Sequence, residues 1–481
     1  MAKNALPQKA VDLSKWYLAV IEQAKLADYA PVKGCMVFRP QAYAIWENLT
    51  KAINNEFALL GIENAYFPLF IPHSFLQKEA EHVEGFSPEL AIVTHAGGKK
   101  LPENLVVRPT SETIIYQMYA KWISSWRDLP IKLNQWCSVV RWEKRTHFFL
   151  RTSEFLWSEC HCAHANYAES LQMVFAALKI YQKILQEVLA IPVIPGFKSE
   201  SEKFAGSRQT TTIEALMPDG KALQAGTSHD LGQNFSQKKA FNISYQDKNG
   251  HNQYVWQNCF GITTRTLGAL IMTHGDDDGL VLPPLVAHTQ VEIVLPLPDE
   301  LVHDFAAKLV ANLNQHGIRA RLNDDYSNSF GYRLNEAELK GVPVIIVVGK
   351  KELQSQVLTL KLRHNHASLQ VKVSELATSL PPIFAQIQQQ MLIKAQAFVT
   401  QQTREAKDYQ QFKDIMRKHH GLIKAYWCEN PTCEAAIKQE TKATTRCLPL
   451  KNFHGEVTEG EGKCIYCGKK AHHQWIFAQA Y

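Results

Sequence analysis

Four cysteines near the C-terminus, Cys428 and Cys433 followed by Cys464 and Cys467, constrain this chain most. Two close pairs separated by a longer connector can converge on one tetrahedral thiolate site. Zinc is the metal such a set favours, and four-cysteine sites are usually structural. The competing reading is four unrelated free thiols, but five of the ten cysteines lie beyond Trp427. Cys447, between the pairs, is left out of the set. Otherwise cysteine usage is ordinary, so disulfides are not expected. The N-terminal MAKNALPQKA lacks the apolar stretch of a signal peptide, and no apolar run has the length of a membrane helix. The expectation is a cytoplasmic, reducing setting with no membrane association.

At 481 residues the chain has room for about three domains. With 46% hydrophobic residues it can bury several cores, which excludes a disordered or collagen-like polymer. The net charge of +6 permits a nucleic-acid partner without demanding one.

Periodicity divides the chain by texture. QAYAIWENLTKAINNEFALLGI places Ala44, Ile45, Leu49, Ile53, Phe57 and Leu60 near one helical face, with Gly61 as a stop. LVVRPTSETIIYQMYAKWISSW reads as strand, turn and helix, capped by Thr110 or Ser111. From Pro130 to about Pro284 the pattern is strand-rich and antiparallel. KLNQWCSVVRWEK and RTSEFLWSECHCAH are two strands joined by a charged connector, and HANYAESLQMVFAALKIYQKILQEVLAI is a long amphipathic helix. TTTIEALMPDGKALQAG turns at Pro218–Gly220, and GTSHDLG is expected as a glycine-containing loop. VEIVLPL, RARLNDD and VPVIIVVGK alternate with two helices in β-α-β-α-β order, as in a small α/β domain. LPPIFAQIQQQMLIKAQAFVTQQTREAKDYQQFKDIMRK is expected as one long polar helix leading to the cysteine module.

Two further segments carry chemistry. In VVRWEKRTHFFLRTSEFLWSECHCAHA, Arg141, Arg145 and Arg151 offer planar guanidinium groups that suit phosphate. Trp157, Glu159 and His161 alternate with period two and share one strand face, a plausible pocket for a small ammonium compound. An ordinary salt-bridged sheet face is the competing reading. Cys160 and Cys162 point away from His161, so CHCAH is not expected to hold a metal. In ITTRTLGALI, Thr263, Thr264 and Arg265 lie beside a helix terminus that favours anions; a capped surface helix would explain it equally. Gly226 and His229 suit a substrate loop. There is no P-loop and no GxGxxG, so any ATP must be gripped by arginines on an antiparallel sheet.

In this order the segments resemble the prolyl-tRNA synthetases, class II aminoacyl-tRNA synthetases of the archaeal/eukaryotic-like type. FRPQAYAIWENL with ENAYFPLFIPHSFLQKEAEHVEGF looks like the dimer-forming motif 1 region. RPTSET resembles the family's proline loop, RWEKRTHFFLRTSEFLWSECHCAHA motif 2, and ITTRTLGALIMTHGDDDGLVLPP motif 3. SFGYRLNEAELKGVPV is similar to the anticodon-binding domain, and GLIKAYWCENPTCEAAIKQETKATTRCLPL with GKCIYCGKKA to the zinc-binding C-terminal module. The resemblance implies an α/β chain: a class II antiparallel sheet flanked by helices over residues 1–285, a small α/β anticodon-binding domain over 286–395, and a zinc-binding α+β module over 396–481.

It further implies a proline–tRNA ligase that forms prolyl-adenylate from L-proline and ATP, then transfers the prolyl group to the 3' end of tRNA(Pro). Thr110, Glu112, Arg141, Phe155, Trp157, Glu159, His161 and His229 would bind proline. Arg141, Arg151, Thr152, Gln224, Thr227, Thr263 and Arg265 would bind ATP, with Arg141 and Arg265 catalytic. Mg2+ would bridge the phosphates, and Cys428, Cys433, Cys464 and Cys467 would hold structural Zn2+. The partners implied are proline, ATP, tRNA(Pro) and a second copy of the chain, with no DNA. Only a short stretch separates motifs 2 and 3, so no cis-editing insertion is expected. The C-terminal Tyr481 would fold back toward the site.

Departures from the family pattern are Ser158, Cys160 and Cys162 in motif 2, Leu285 and His288 after motif 3, and Ile345 and Val347 where the anticodon domain usually has Arg and Glu. The last two leave the anticodon-reading residues unassigned. They are also the sole support for the alternative, a non-catalytic RNA-binding paralogue.

Overall fold

The computed structural model describes residues 6–76 and 90–481. The stretch 77–89, which holds part of the motif 1-like segment expected to form the dimer, lies outside the described residues.

An eleven-stranded sheet runs through the molecule. Its larger part comprises Val193–Phe197, Gln209–Leu216, Ala222–Gly232, Trp256–Thr263, Glu154–His164 and Ile131–Val140, all antiparallel in that spatial order. Short Glu63–Asn64 adds in parallel at the end. Along Glu154–His164 the side chains alternate as a pleated strand requires. Cys160 and Cys162 enter the main apolar core, while Glu159 and His161 face a cavity on the other side. The core face is covered by Pro40–Leu59 and by Tyr167–Lys183. The second of these is capped by Asn166, whose side chain accepts from the Glu169 amide at 2.9 Å.

GTSHDLG is strand rather than loop, continuous with Ala222–Gly232. Its glycine has a packing reason: a Cβ on Gly226 would stand 3.1 Å from the Tyr181 ring of the covering helix. Ser111 occupies the cap position of the helix Glu112–Trp122, but makes no capping bond.

The middle domain has the expected parallel strands Ala320–Asn323, Val291–Val294 and Val344–Val347, extended by antiparallel Val357–Leu362 and Ser368–Lys372. Val291, Ile293, Val344 and Ile346 pack under the helices Glu300–Gln315 and Leu376–Gln402. On the opposite face Ile345 lies buried with Val294, Ala337 and Val342 beneath Phe330–Leu339.

The long polar helix is interrupted. Leu376–Gln402 gives way to the strand Thr403–Glu405, which pairs in parallel with Leu422–Lys424, and Tyr409–Lys418 follows as a separate helix. The C-terminal strands Leu422–Trp427, His473–Gln479 and Ala443–Pro449 then join the antiparallel strands described first, because Leu448 and Pro449 pair with Phe197 and Gly196.

Candidate active site and thiolate cluster

A cavity of about 500 Å³ opens on the face of the sheet opposite the main core. All fourteen side chains assigned above to proline or ATP line it: Thr110, Glu112, Arg141, Arg151, Thr152, Phe155, Trp157, Glu159, His161, Gln224, Thr227, His229, Thr263 and Arg265. They come from the loop before Glu112–Trp122 and its first residue, from the three central strands, from the connector after Val140, and, for Arg265, from the start of the helix Arg265–His274. The sheet register makes this convergence possible, since Glu159 lies opposite Gly261 and His229 opposite Cys259. The small residue opposite Glu159 is required, because a Cβ on Gly261 would sit 2.9 Å from the Ser158 carbonyl oxygen.

Arg141 is central. Its Nε donates to the Pro109 carbonyl at 3.0 Å, and its guanidinium lies 5.6 Å from the Phe155 ring and 5.4 Å from the Trp157 ring. Arg265 donates to the carbonyls of Leu150 at 3.2 Å and Gln224 at 3.3 Å. Burial lowers the pKa of both arginines. Glu112 and Glu159 oppose this at Arg141, whereas Arg141 itself adds to it at Arg265. Two desolvated guanidiniums that repel one another favour an anionic ligand between them. Arg151 stands at the rim, paired with Glu143 at 2.6 Å. Arg145 does not line the cavity.

The carboxylates divide the work. Glu159 accepts from the Ser111 amide at 3.1 Å, from Gln135 Nε2 at 2.7 Å and from the Ser111 hydroxyl. Burial works against its charge, yet His161 and these donors outweigh it and hold its pKa below the usual range. Glu112 accepts from the Thr110 hydroxyl and faces the same space. For His161, burial is outweighed by Glu159 and Glu112, which raise its pKa. Tyr116 Oη lies 3.0 Å from its Nδ1. His229 is neutral, pushed down to about 3 by burial and by His161. It meets Thr210 Oγ1 at 2.9 Å and the Phe204 ring at 4.9 Å.

Sequence reasoning missed Ser111 and Gln135 as the holders of Glu159, and Arg108, which donates to the carbonyls of Ser138 and Phe67 and braces the proline-loop segment. The strand register, which sets Gln135 opposite Glu159, is the signal that exposes Gln135. It also missed Glu202, Lys203 and Phe204, which form one wall. Tyr481 ends beside Ala222, its hydroxyl donating to Asp219 at 2.8 Å.

In the C-terminal module, the sulfurs of Cys428, Cys433, Cys464 and Cys467 all lie within 4.8 Å of one another. Cys428 Sγ is 3.7 Å from both Cys433 Sγ and Cys467 Sγ. A tetrahedral zinc with bonds of about 2.3 Å separates its sulfurs by about 3.8 Å, so the set fits that ion. Cys447 lies elsewhere, in the apolar packing with Ile476 and Ala478.

Three families match in series: the tRNA synthetase class II core domain (G, H, P, S and T) over residues 96–274, the anticodon binding domain over 290–381, and the prolyl-tRNA synthetase C-terminal domain over 409–481. The proline–tRNA ligase of Prosthecochloris aestuarii is 47% identical over 478 residues, 98% of each chain. The chain belongs to the prolyl-tRNA synthetase family. The proline–tRNA ligase of Clostridium novyi is 48% identical over 98% of this chain and 97% of its own. A solved prolyl-tRNA synthetase from Cryptosporidium parvum, in complex with halofuginone and AMPPNP, superposes with a TM-score of 0.93 at 37% identity, covering 99% of this chain and 97% of that one. The activity is accordingly that of a proline–tRNA ligase, a class II aminoacyl-tRNA synthetase working with proline, ATP, Mg2+ and tRNA. No helix among the described residues is long and apolar enough to cross a membrane.

Proposed function

We propose that this one cavity forms prolyl-adenylate and passes the prolyl group to tRNA(Pro), with the fourteen lining residues in the roles given above. The observation that carries this reading is that Arg141 shares one cavity with Glu112, Glu159 and Arg265 and feels the charge of all three. Proline binds with its ring nitrogen toward Glu112 and Thr110 and its ring against Phe155 and Trp157. Glu159 keeps the Thr110–Glu112 loop in place through Ser111. His229, being neutral, adds no charge to repel the secondary ammonium.

The proline carboxylate is ionised, so it attacks the α-phosphorus without a protein base. The bond from phosphorus to the bridging oxygen breaks, and pyrophosphate leaves with the electron pair. Arg141 spans the carboxylate and the α-phosphate, where charge accumulates, and Arg265 with Thr263 holds the distal phosphates. Mg2+ supplies charge compensation on the phosphates. A ribose hydroxyl of the tRNA then attacks the prolyl carbonyl; the bond from that carbon to the phosphate oxygen breaks, AMP departs with the electron pair, and the hydroxyl proton is released.

The chain is proposed to divide near residues 285 and 395, to work as a cytoplasmic homodimer that does not bind DNA, and to carry structural zinc on Cys428, Cys433, Cys464 and Cys467. The test is ATP–pyrophosphate exchange by the full-length protein. Exchange should require proline; absence of exchange, or equal exchange with another amino acid, would overturn the assignment.

A further inference from the structure

The C-terminal module is built into the wall of the active-site cavity. After Phe197 the chain leaves the catalytic sheet as Lys198–Phe204, and its last three residues, Glu202, Lys203 and Phe204, face the cavity. At its start the Lys198 amide still donates to the Thr210 carbonyl at 2.9 Å and Lys198 Nζ lies 3.6 Å from Glu214, but the serines that follow do not bond to that sheet. Their hydroxyls point instead at Glu434, on the helix Pro431–Thr441 of the C-terminal module. Ser199 Oγ donates to Glu434 Oε1 at 2.7 Å, and Ser201 Oγ donates to Glu434 Oε2. Thr445, on the adjoining strand of the same module, donates to Oε1 as well and lies 3.0 Å from Ser199 Oγ. Glu434 is buried, as are Ser199 and Thr445. One turn further along the helix, Lys438 Nζ donates to Glu202 Oε1 at 3.2 Å.

A buried carboxylate with three hydroxyl donors is strongly directional, because each donor satisfies an oxygen that would otherwise be stranded. The consequence reaches the site in two short steps. Phe204 packs on the His229 ring at 4.9 Å, and its amide donates to Thr210 Oγ1 at 2.9 Å. Thr210 Oγ1 is in turn 2.9 Å from His229 Nδ1. The segment held by Glu434 therefore sets the ring orientation of a residue in the proline end of the cavity.

We propose that Glu434 is a positioning residue for proline: through Ser199 and Ser201 it fixes the Glu202–Phe204 wall and so couples the C-terminal module to amino-acid binding. This rests on the assignment of the cavity as the adenylation site, so the wild-type protein is run in parallel. Failure of wild-type exchange would sink that assignment, whereas failure confined to the variants tests the coupling alone.

The experiment measures proline-dependent ATP–pyrophosphate exchange with full-length, metal-loaded protein, alongside zinc content and melting temperature. Glu434→Ala should raise KM for proline about tenfold, with KM for ATP changed less than twofold and zinc retained. Glu434→Gln, which keeps an acceptor oxygen and the side-chain shape, should recover most of the loss. Ser199→Ala/Ser201→Ala removes the same clamp from the catalytic side and should reproduce the proline-specific change, even if Glu434→Ala fails to fold. An unaltered proline KM in the serine double variant would overturn the proposal. So would parallel loss of proline and ATP binding together with zinc, which marks a purely structural role.

Discussion

Replacing Arg446 by Met isolates the buried ion pair that joins the C-terminal module to the catalytic sheet. Arg446 Nε and Nη2 both donate to Glu214 Oε2, at 2.9 and 2.6 Å. The side chains are only 6% and 1% exposed. The other oxygen, Oε1, accepts from Thr212 at 2.8 Å and lies 3.6 Å from Lys198 Nζ. Removing one partner of a buried pair costs about 3–5 kcal/mol, because the remaining charge is stranded. Lys198 stays, which places the cost at the lower end, about 3 kcal/mol. At 1.36 kcal/mol per factor of ten, opening of the joined strands becomes about 150-fold more frequent. Amide hydrogen exchange over Ala443–Pro449 and Gln209–Leu216 reads this directly.

The penalty carries a pH signature. In the native protein burial pushes Glu214 up, but Arg446 and Lys198 outweigh it and hold the carboxyl below its usual range. Without Arg446 the burial effect gains ground and the folded pKa rises. A charged carboxylate is then the costly form, so the penalty is largest at high pH and fades as pH falls through the raised value. Less than threefold faster exchange, or the same penalty at pH 8 and pH 5.5 after correction for intrinsic rates, would refute the reasoning.

Arg141→Ala should lower proline-dependent exchange by at least about 100-fold, as loss of a preorganised charge partner does; turnover near that of the wild type would show that the ATP site lies elsewhere. Cys428→Ser should bring bound zinc below half an equivalent and loosen the C-terminal module by limited proteolysis, while adenylate formation persists at saturating proline; full zinc retention would count against the four-thiolate site. Glu159 and Glu214 both have folded pKa values held below the usual carboxylate range. Their stabilisation is present above the unfolded value near 4.5 and is lost as pH falls through the lower folded values. The melting temperature should therefore drop steeply below about pH 4.5, and Glu214→Gln should flatten that drop; an unchanged slope in the variant would contradict it.

Much of the site was legible because strand periodicity is local. The alternation of Trp157, Glu159 and His161 is enough to place them on one face, and Cys160 and Cys162 on the other. What local patterning hides is pairing between distant segments. Gln135 reaches Glu159 only through the register of two strands. Ser111 looks like a helix cap, yet its hydroxyl goes to Glu159. Gly226 reads as a loop signal when its lack of a side chain instead admits the Tyr181 ring. Thr403–Glu405 looks helical by polarity, and only the arrival of Leu422–Lys424 makes it a strand. The burial of Ile345 accounts for an apolar residue at that position, since it closes the small cluster under Phe330–Leu339.

The seam between Val193–Phe197 and Ala443–Pro449 has a consequence for how the polypeptide is born. Synthesis is vectorial, so the earlier strand leaves the ribosome long before its outer neighbour exists. Until then it offers a row of bare amides and carbonyls to any passing chain, the usual hazard of an uncovered sheet margin. Covering that margin thus waits on Ala443–Pro449, and a ribosome that stalls before this strand emerges leaves behind an adhesive protein whose catalytic sheet is otherwise built.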